Sequence, residues 1–497
     1  MVFDMTKKNL LKRSADIETM MPYWDKVSDI LDGKEAIKAG GVKYLPKFPD
    51  EEVSDYEFRL TVAKFTNIYR DVVEGLATKP FQTEIGLLGG DKRPQELKDF
   101  AEDVDGFGSN LTTFAALTFF NAINYGIDWI FVDYPTVQNP DTVTIAEAKQ
   151  RNLKPFWVHI LGKNVLEVQT RMQGSKQIIT YFRCQEPGYG DEPMHVREFV
   201  ETEDGVIWTL YVKTKNEMNE DEFVVVDQGK LSINFIPIVP FITGRRDGKS
   251  FKIYPPMADA ADLQITLYQN ESALEYIKVL ACYPMLATDG TKVPKGPDNK
   301  PLKLRTGPNT VMYGVEKANG DGGTWQYVEP QANSLEFLQK NIDKTKNDLR
   351  ELGRQPLTAL STQLTTVTTS IAAGKAKSAV TAWAYGLKDA LENALLITMK
   401  WMGIDYQPQV EVYTGFDNVT DDGSDVEELG KARERGDISL ESYWDELKRR
   451  KILSPEFDVE VERKRLLDDI PAETAPDVES ENEANDNLNQ DKEELNE

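Results

Sequence analysis

Gly244-Arg245-Arg246-Asp247-Gly248-Lys249-Ser250 is the stretch whose residue types come nearest to phosphate chemistry. A phosphate loop needs four residues between its glycines, so that successive backbone N–H groups converge on the anion. Here there are three, and Tyr254-Pro255-Pro256 stands where the following helix would begin, so the stretch reads as a polar turn after a strand. Arg435-Gly436-Asp437 spells an adhesion tripeptide, but its place between two helical patterns makes it a helix stop and restart. His159 lies in an apolar run beside Trp157 and reads as a half-buried core histidine. The other histidine, His195, is equally remote from a second metal ligand. Cys184 and Cys282 are far apart and form no metal or redox motif, so the fold is expected not to rely on disulfides. There is no G-x-S-x-G and no H-E-x-x-H. The chain is therefore read as non-enzymatic, with no catalytic residue, metal or cofactor.

Charge narrows the partners. The formal net charge is −25 over 497 residues. From Asp468 onward there are twelve acidic residues and one lysine, a net of −11 that leaves −14 for the body. Such a surface repels nucleic acid and anionic membranes overall. One stretch runs against the trend. Thr291–Arg305 carries Lys292, Lys295, Lys300, Lys303 and Arg305 against Asp298 alone. It reads as a solvated loop or as a contact for an acidic partner or DNA. No apolar run has membrane-spanning length, and the basic N-terminus lacks the apolar core of a secretory signal. A soluble protein made inside the cell is expected.

Length suggests roughly three domain-sized units. Residues 1–80 read as helical, with helices over Ile17–Leu31 and Ser54–Leu76 and an extended connector at Lys43–Pro49. Two more helices are predicted across 94–125, broken at Gly106-Phe107-Gly108, followed by a buried strand at Asp128–Asp133. Seven β-rich runs between 155 and 242 predict a mainly antiparallel module. A helix over 255–281 carries Ala260, Leu263, Leu267, Leu274 and Ile277, with Asn270 on the same seam. A Pro/Gly-rich stretch with short strands at 309–313 and 324–328 follows. The helix 334–352 ends at Gly353-Arg354-Gln355-Pro356. A polar, Thr-rich segment then leads into a long helix whose stripe is Ala376, Val380, Trp383, Leu387, Leu391, Ala394, Thr398 and Trp401. On periodicity alone this pair is either an ordinary helical hairpin or a mechanical helix–loop–helix. Gln409–Tyr413 reads as a strand, Val426–Arg435 and Leu440–Lys451 as small helices, and the acidic end as disordered.

The ordered set of elements resembles the portal proteins of tailed bacteriophages. The stretches that carry it are Lys43–Pro49, Tyr56–Leu60, Val73–Leu76 into Lys79-Pro80-Phe81, Tyr125–Asp128 into Phe131–Pro135, Ile236–Phe241, Pro255–Asp259 and the central helix–loop–helix. The likeness covers about residues 15–465 in outline; no one motif is diagnostic. It implies an α+β portal fold, mainly helical with a β-rich wing module. The wing would span 1–254, its β-rich part starting near 155. Two stem helices, 255–281 and 334–352, would flank a small β-containing clip at 282–333. A tunnel loop would occupy 353–370, a long wing helix and return strand 371–425, and a helical crown 426–467, before the acidic tail 468–497.

The resemblance further implies a homo-oligomeric ring, a dodecamer, at the portal vertex of a virion capsid, made in the host cytoplasm. Double-stranded DNA would pass through it non-specifically during packaging and ejection. The packaging terminase, the major capsid protein, scaffold and head-completion or adaptor proteins would dock on it, and no membrane is involved. Candidate DNA-channel residues are Arg354, Thr358, Thr362, Gln363, Thr365, Lys375 and Lys377. Candidate clip contacts are Lys292, Lys295, Lys300, Lys303 and Arg305. The competing classes are another virion structural protein, such as a head–tail connector or scaffold, and a DNA-packaging ATPase, which would require an intact phosphate loop.

Overall fold

The computed structural model describes residues 10–135, 153–188, 193–215, 221–281, 285–288, 295, 297, 311–313, 324–328, 333–352, 366–414, 424–449, 452–453, 457 and 459–468. The chain divides into two compact units, Met1–Thr414 and Gly415–Glu497.

The first unit begins with helices α1 (Ala15–Asp32), α2 (Lys34–Ala39), α3 (Val53–Val62) and α4 (Ile68–Ala77). α1 runs through Pro22, because Met20, Trp24, Val27 and Ile30 on its inner face are buried on both sides of the proline. The single helix predicted over 54–76 is two helices. The break at 63–67 begins a new helix at Asn67, whose side chain accepts from Arg70 N at 3.0 Å. The extended connector before α3 is pinned from below. Arg59 donates two hydrogen bonds of 2.8 Å to Glu51 and one of 2.7 Å to Pro46 O, while Glu51 also accepts from Phe48 N. A short strand β1 (Gly86–Leu87) and helices α5 (Gln95–Glu102) and α6 (Leu111–Tyr125) follow. The carbonyl oxygens left unpaired at the end of α6 are taken by α1: Tyr23 donates to Asn124 O and Trp24 Nε1 to Tyr125 O, both at 2.8 Å.

Two sheets form the middle of this unit. β2 (Ile127–Asp133) is the central strand of the first, between β3 (Phe156–Leu161) and β9 (Ile238–Ile242), all antiparallel. The second is a five-stranded antiparallel meander of β4 (Val165–Gln173), β5 (Lys176–Glu186), β6 (His195–Thr202), β7 (Gly205–Lys215) and β8 (Asp221–Lys230). The first of the seven predicted β runs therefore belongs to the smaller sheet. The last predicted run, 235–241, reaches strand geometry only from Ile238. The alternation along β2 separates its neighbours. Trp129 and Phe131 meet Phe182 and Phe199 of the meander, each at 5.3 Å between ring centres. Asp128, Ile130 and Val132 take the opposite face, toward α6. A tight hairpin, β10 (Arg245–Arg246) and β11 (Ile253–Tyr254), then leads to helix α7 (Ala258–Ala281).

Beyond α7 lies a three-stranded sheet of β12 (Met285–Thr288), β13 (Val311–Tyr313) and β14 (Trp325–Val328). β12 is its centre, parallel to β13 and antiparallel to β14. Sequence periodicity found the two outer strands and missed the central one. Helices α8 (Asn333–Leu352) and α9 (Thr366–Trp401) follow. α9 begins five residues before the predicted start, its threonines extending the helix instead of the loop. Strand β15 (Val410–Glu411), shorter than predicted, pairs with β1. The second unit contains α10 (Ser424–Glu434), α11 (Leu440–Arg449) and α12 (Val459–Asp468), the last unanticipated. Gly436, at φ +79°, ends α10, and Ser439 caps α11 by accepting from Ser442 N at 3.1 Å.

Two outcomes test this packing. Gly126 closes α6 at φ +83°, and a Cβ there would meet Ile253 Cγ2 at 3.0 Å and Pro255 Cα at 3.1 Å. Gly126→Ala is expected to lower unfolding free energy by ~2 kcal/mol, read from the urea midpoint at unchanged slope. The hydrogen bonds from Arg59 hold the Glu51 carboxyl below its ordinary pKa. A lowered folded value stabilises above the unfolded value and fades as pH falls through the folded one. The stability gap between wild type and Glu51→Gln should therefore hold from pH 7 to about pH 5 and narrow below that.

Candidate functional site

The site is built from the two long helices α7 and α8, the small sheet between them and the entry to α9. α7 buries Ala260, Ala261, Gln264, Leu267, Tyr268, Glu271 and Leu274. The apolar seam is thus close to the predicted one, but the polar residues buried on this helix are Gln264, Glu271 and Ser272, while Asn270 is only half-buried. α8 presents Ile342, Thr345 and Leu349 to the interior.

Both helices seat on the start of α4. The first backbone N–H groups of a helix have no partner within it. Gln264 Oε1 accepts from Tyr69 N at 2.9 Å, and its amide donates to Thr66 O at 2.8 Å. Glu271, 2% exposed, accepts from Thr66 N at 3.2 Å and from Thr66 Oγ1 at 3.0 Å. Lys346 of α8 reaches the same carboxylate at 3.0 Å. One buried anion therefore joins three helices. The neighbouring connector is held as well, because Gln269 Nε2 donates to Tyr44 O at 2.9 Å. Two polar residues seven apart inside an apolar stripe were the available signal for this junction.

α9 is fixed along its C-terminal half. Val380, Ala384, Leu387, Leu391, Ala394 and Leu395 are buried. Trp383 Nε1 donates to Thr243 O at 3.0 Å, and Thr398 Oγ1 accepts from Trp157 Nε1 at 2.9 Å. The predicted stripe is therefore the packed face, at least from Val380 onward.

Among the predicted channel residues, Arg354, Thr358, Thr362, Gln363 and Thr365 lie outside the described residues. Lys375 and Lys377 lie on the first half of α9. Of the clip candidates, Lys292, Lys300, Lys303 and Arg305 lie outside the described residues, and Lys295 is exposed. The disorder expected of the acidic end also falls outside them.

The chemical motifs resolve into structural ones. The near-phosphate loop is the β10–β11 hairpin, closed by Asp247 N donating to Lys252 O at 2.9 Å, with Arg246 turned back onto Lys249 O and Ser250 O. His159 stacks on Phe114, ring centres 4.0 Å apart, with Nδ1 3.2 Å from Asp128 Oδ2. Burial pushes the Asp128 carboxyl up, against the opposing pull of His159. Cys184 is buried and its thiol is pushed well up by that burial. Among the described residues no group of three His, Cys, Asp or Glu side chains could hold a metal, and no helix is long and apolar enough to cross a membrane.

The architecture is that of a mixed helix-and-sheet protein with a long-helix pair at its centre. A family described as "Domain of unknown function (DUF4055)" matches residues 256–402, the span from α7 into the end of α9. No curated protein matches the chain. Among solved structures, the chain is similar to one from the neck of a native gene transfer agent particle computed with C12 symmetry. That match has 11% identity and a TM-score of 0.41, covering 82% of this chain and 98% of that one. A chain from the virion of the native particle gives 10% identity and 0.40, covering 82% and 96%. A chain from the neck of the empty particle, computed with C6 symmetry, gives 11% and 0.39, covering 76% and 87%. Likeness of this degree carries no argument about what this chain does.

If Glu271 ties α7 and α8 to α4, Glu271→Ala should cost roughly 3 kcal/mol in urea unfolding, because Thr66 N and Lys346 lose their common partner. Glu271→Gln keeps an acceptor for Thr66 N and should cost less. Equal unfolding curves for wild type and the alanine variant would remove the junction from the account.

Proposed function

We propose that this protein is a phage portal: a homo-oligomeric ring, a dodecamer, that conducts double-stranded DNA through one capsid vertex and has no catalysis of its own. The observation that carries the reading is the order α7, small three-stranded sheet, α8, long α9, with α7 and α8 packed on each other. In this reading α7 and α8 are the stem, and the segment from 282 to 332, which includes the sheet β13-β12-β14, is the clip, where the terminase and later the adaptor proteins dock. The connection 353–365 is the tunnel loop. The first unit supplies the wing, which faces scaffold and the major capsid protein, and the helices of the second unit form the crown.

The physics of a conduit supports this assignment. Phosphate-neutralising contacts are what make non-specific DNA complexes tight and salt-sensitive. A body of net charge −14 lets the duplex slide, while few cations near the loop, Arg354, Lys375 and Lys377, add weak contacts that recur in every subunit. A stem must hold its shape under the load of a passing polymer. The Glu271 junction and the seating of Gln264 provide a rigid attachment of stem to wing. A packaging ATPase is disfavoured by the hairpin that occupies residues 245–254, which has no helix N-terminus for phosphate to approach.

Light scattering and negative-stain images of the purified chain test the reading. Rings with a central hole and a mass near twelve times 56.2 kDa are expected. A folded monomer that stays monomeric with capsid and scaffold proteins present would overturn it. In assembled particles, reversing the charge of Arg354, Lys375 and Lys377 together should reduce DNA packaging and retention. Unchanged packaging would remove these residues from the channel wall.

A further inference from the structure

A basic concavity lies far from the predicted channel and clip positions in sequence. A cavity of about 460 Å³ opens between α2, the end of α3 with the chain break after it, and α7. Lys34 and Lys38 line it from α2, Lys64 from the break, and Thr61, Val62, Ala63 and Phe65 form its floor. Glu275 of α7 is its one carboxylate, and it is already engaged by Lys278 at 3.1 Å. None of the ion pairs among the described residues takes Lys34, Lys38 or Lys64. Three lysines thus line one concave surface in a chain of net charge −25.

The fold explains why they stay together. Lys38 Nζ donates to Thr61 O at 2.8 Å, which ties α2 to the last turn of α3 and fixes one ammonium at the cavity wall. Lys34 is one helical turn away on the same face of α2. Lys64 follows the end of α3 directly, where the chain leaves helical geometry. Burial holds the Lys38 amine below its ordinary pKa, repulsion from Lys34 adds to it, and Glu35 of α2 offsets part of that repulsion. A bound anion would relieve it.

We propose that this cavity is a phosphate-binding site. Among the lining residues three lysines stand against Glu275, with Glu35 of α2 close enough to act on Lys38, and this positive excess suits a phosphate anion. Lysine binds phosphate as a point charge without needing the planar fork of arginine. The volume lies in the ~300–1,000 Å³ range of small-ligand sites and is too narrow a recess for the width of a duplex. The phosphate arrives either on a small free anion or on the end of a nucleic-acid strand. The site is independent of the ring reading, since it is complete within one chain.

Isothermal titration of the full chain with inorganic pyrophosphate at constant ionic strength tests the proposal. Saturable binding at one site per chain is expected, weakened at least tenfold in Lys34→Ala/Lys64→Ala. Both positions are exposed, and Lys38 is left in place because it holds Thr61 O. The charge-matched control Lys92→Ala/Lys249→Ala should bind as wild type does. A 5′-phosphorylated short oligothymidylate that competes, while its unphosphorylated twin does not, would assign the strand end as the source; competition by neither would assign the free anion. Absence of saturable binding, or equal affinity in wild type and the Lys34/Lys64 variant with unchanged circular dichroism, would overturn the site.

Discussion

The buried carboxylate of Glu271 is the constraint on which the rest of the first unit depends. A charge at 2% exposure is tolerable only where donors surround it. Here the donors are Thr66, in the connector just before α4, and Lys346 of α8. The arrangement answers two needs together. It holds the chain segment that leads into α4, and it fixes the register of α7 against α8. Sliding α7 by one turn, about 5.4 Å, would withdraw both Gln264 and Glu271 from their partners and leave apolar surface opposite the α4 start. Apolar stripes alone permit such slips; a buried polar pair with fixed partners does not.

The second organising element is β2. Its residues are buried on both faces, so it reads as a continuous apolar run broken only by Asp128. One face serves the meander through aromatic edge contacts, and the other serves α6 and α9. The C-terminal half of α9 is held across this layer by two indole hydrogen bonds, Trp383 to Thr243 O and Trp157 to Thr398. One sits at the middle of this 36-residue helix and the other near its C-terminal end.

Charge is distributed by role. Neutralised pairs such as Arg59–Glu51, Arg183–Glu167 and Lys346–Glu271 sit in or beside the core. The acidic excess is left to the surface and to the C-terminal end. In that setting three lysines lining one recess, none of them in an ion pair among the described residues, depart from the pattern of the rest of the chain.

Much of the fold was written in the sequence. Helical periodicity located α1, α6, α7, α8 and α9, and period-two runs located the strands of the meander, because burial of one face imposes those periods on the residues themselves. The near-phosphate loop at 244–250 was legible as a turn from the missing residue and the prolines after it. The sequence also held the ordered set of stretches on which the functional reading began. Other features were decided only in three dimensions. Pro22 did not break α1, because tertiary burial on both sides outweighed the lost hydrogen bond. The 54–76 stripe did split, because α7 supplies partners for a helix that starts at Asn67. β12 was missed, and its pairing comes from strands distant in sequence. The junction at Glu271 and the lysine cavity could not be seen along the chain at all. The junction spans Thr66 to Lys346 and the cavity Lys34 to Glu275, and only folding brings such distant residues within the few ångströms over which a hydrogen bond or a charge acts.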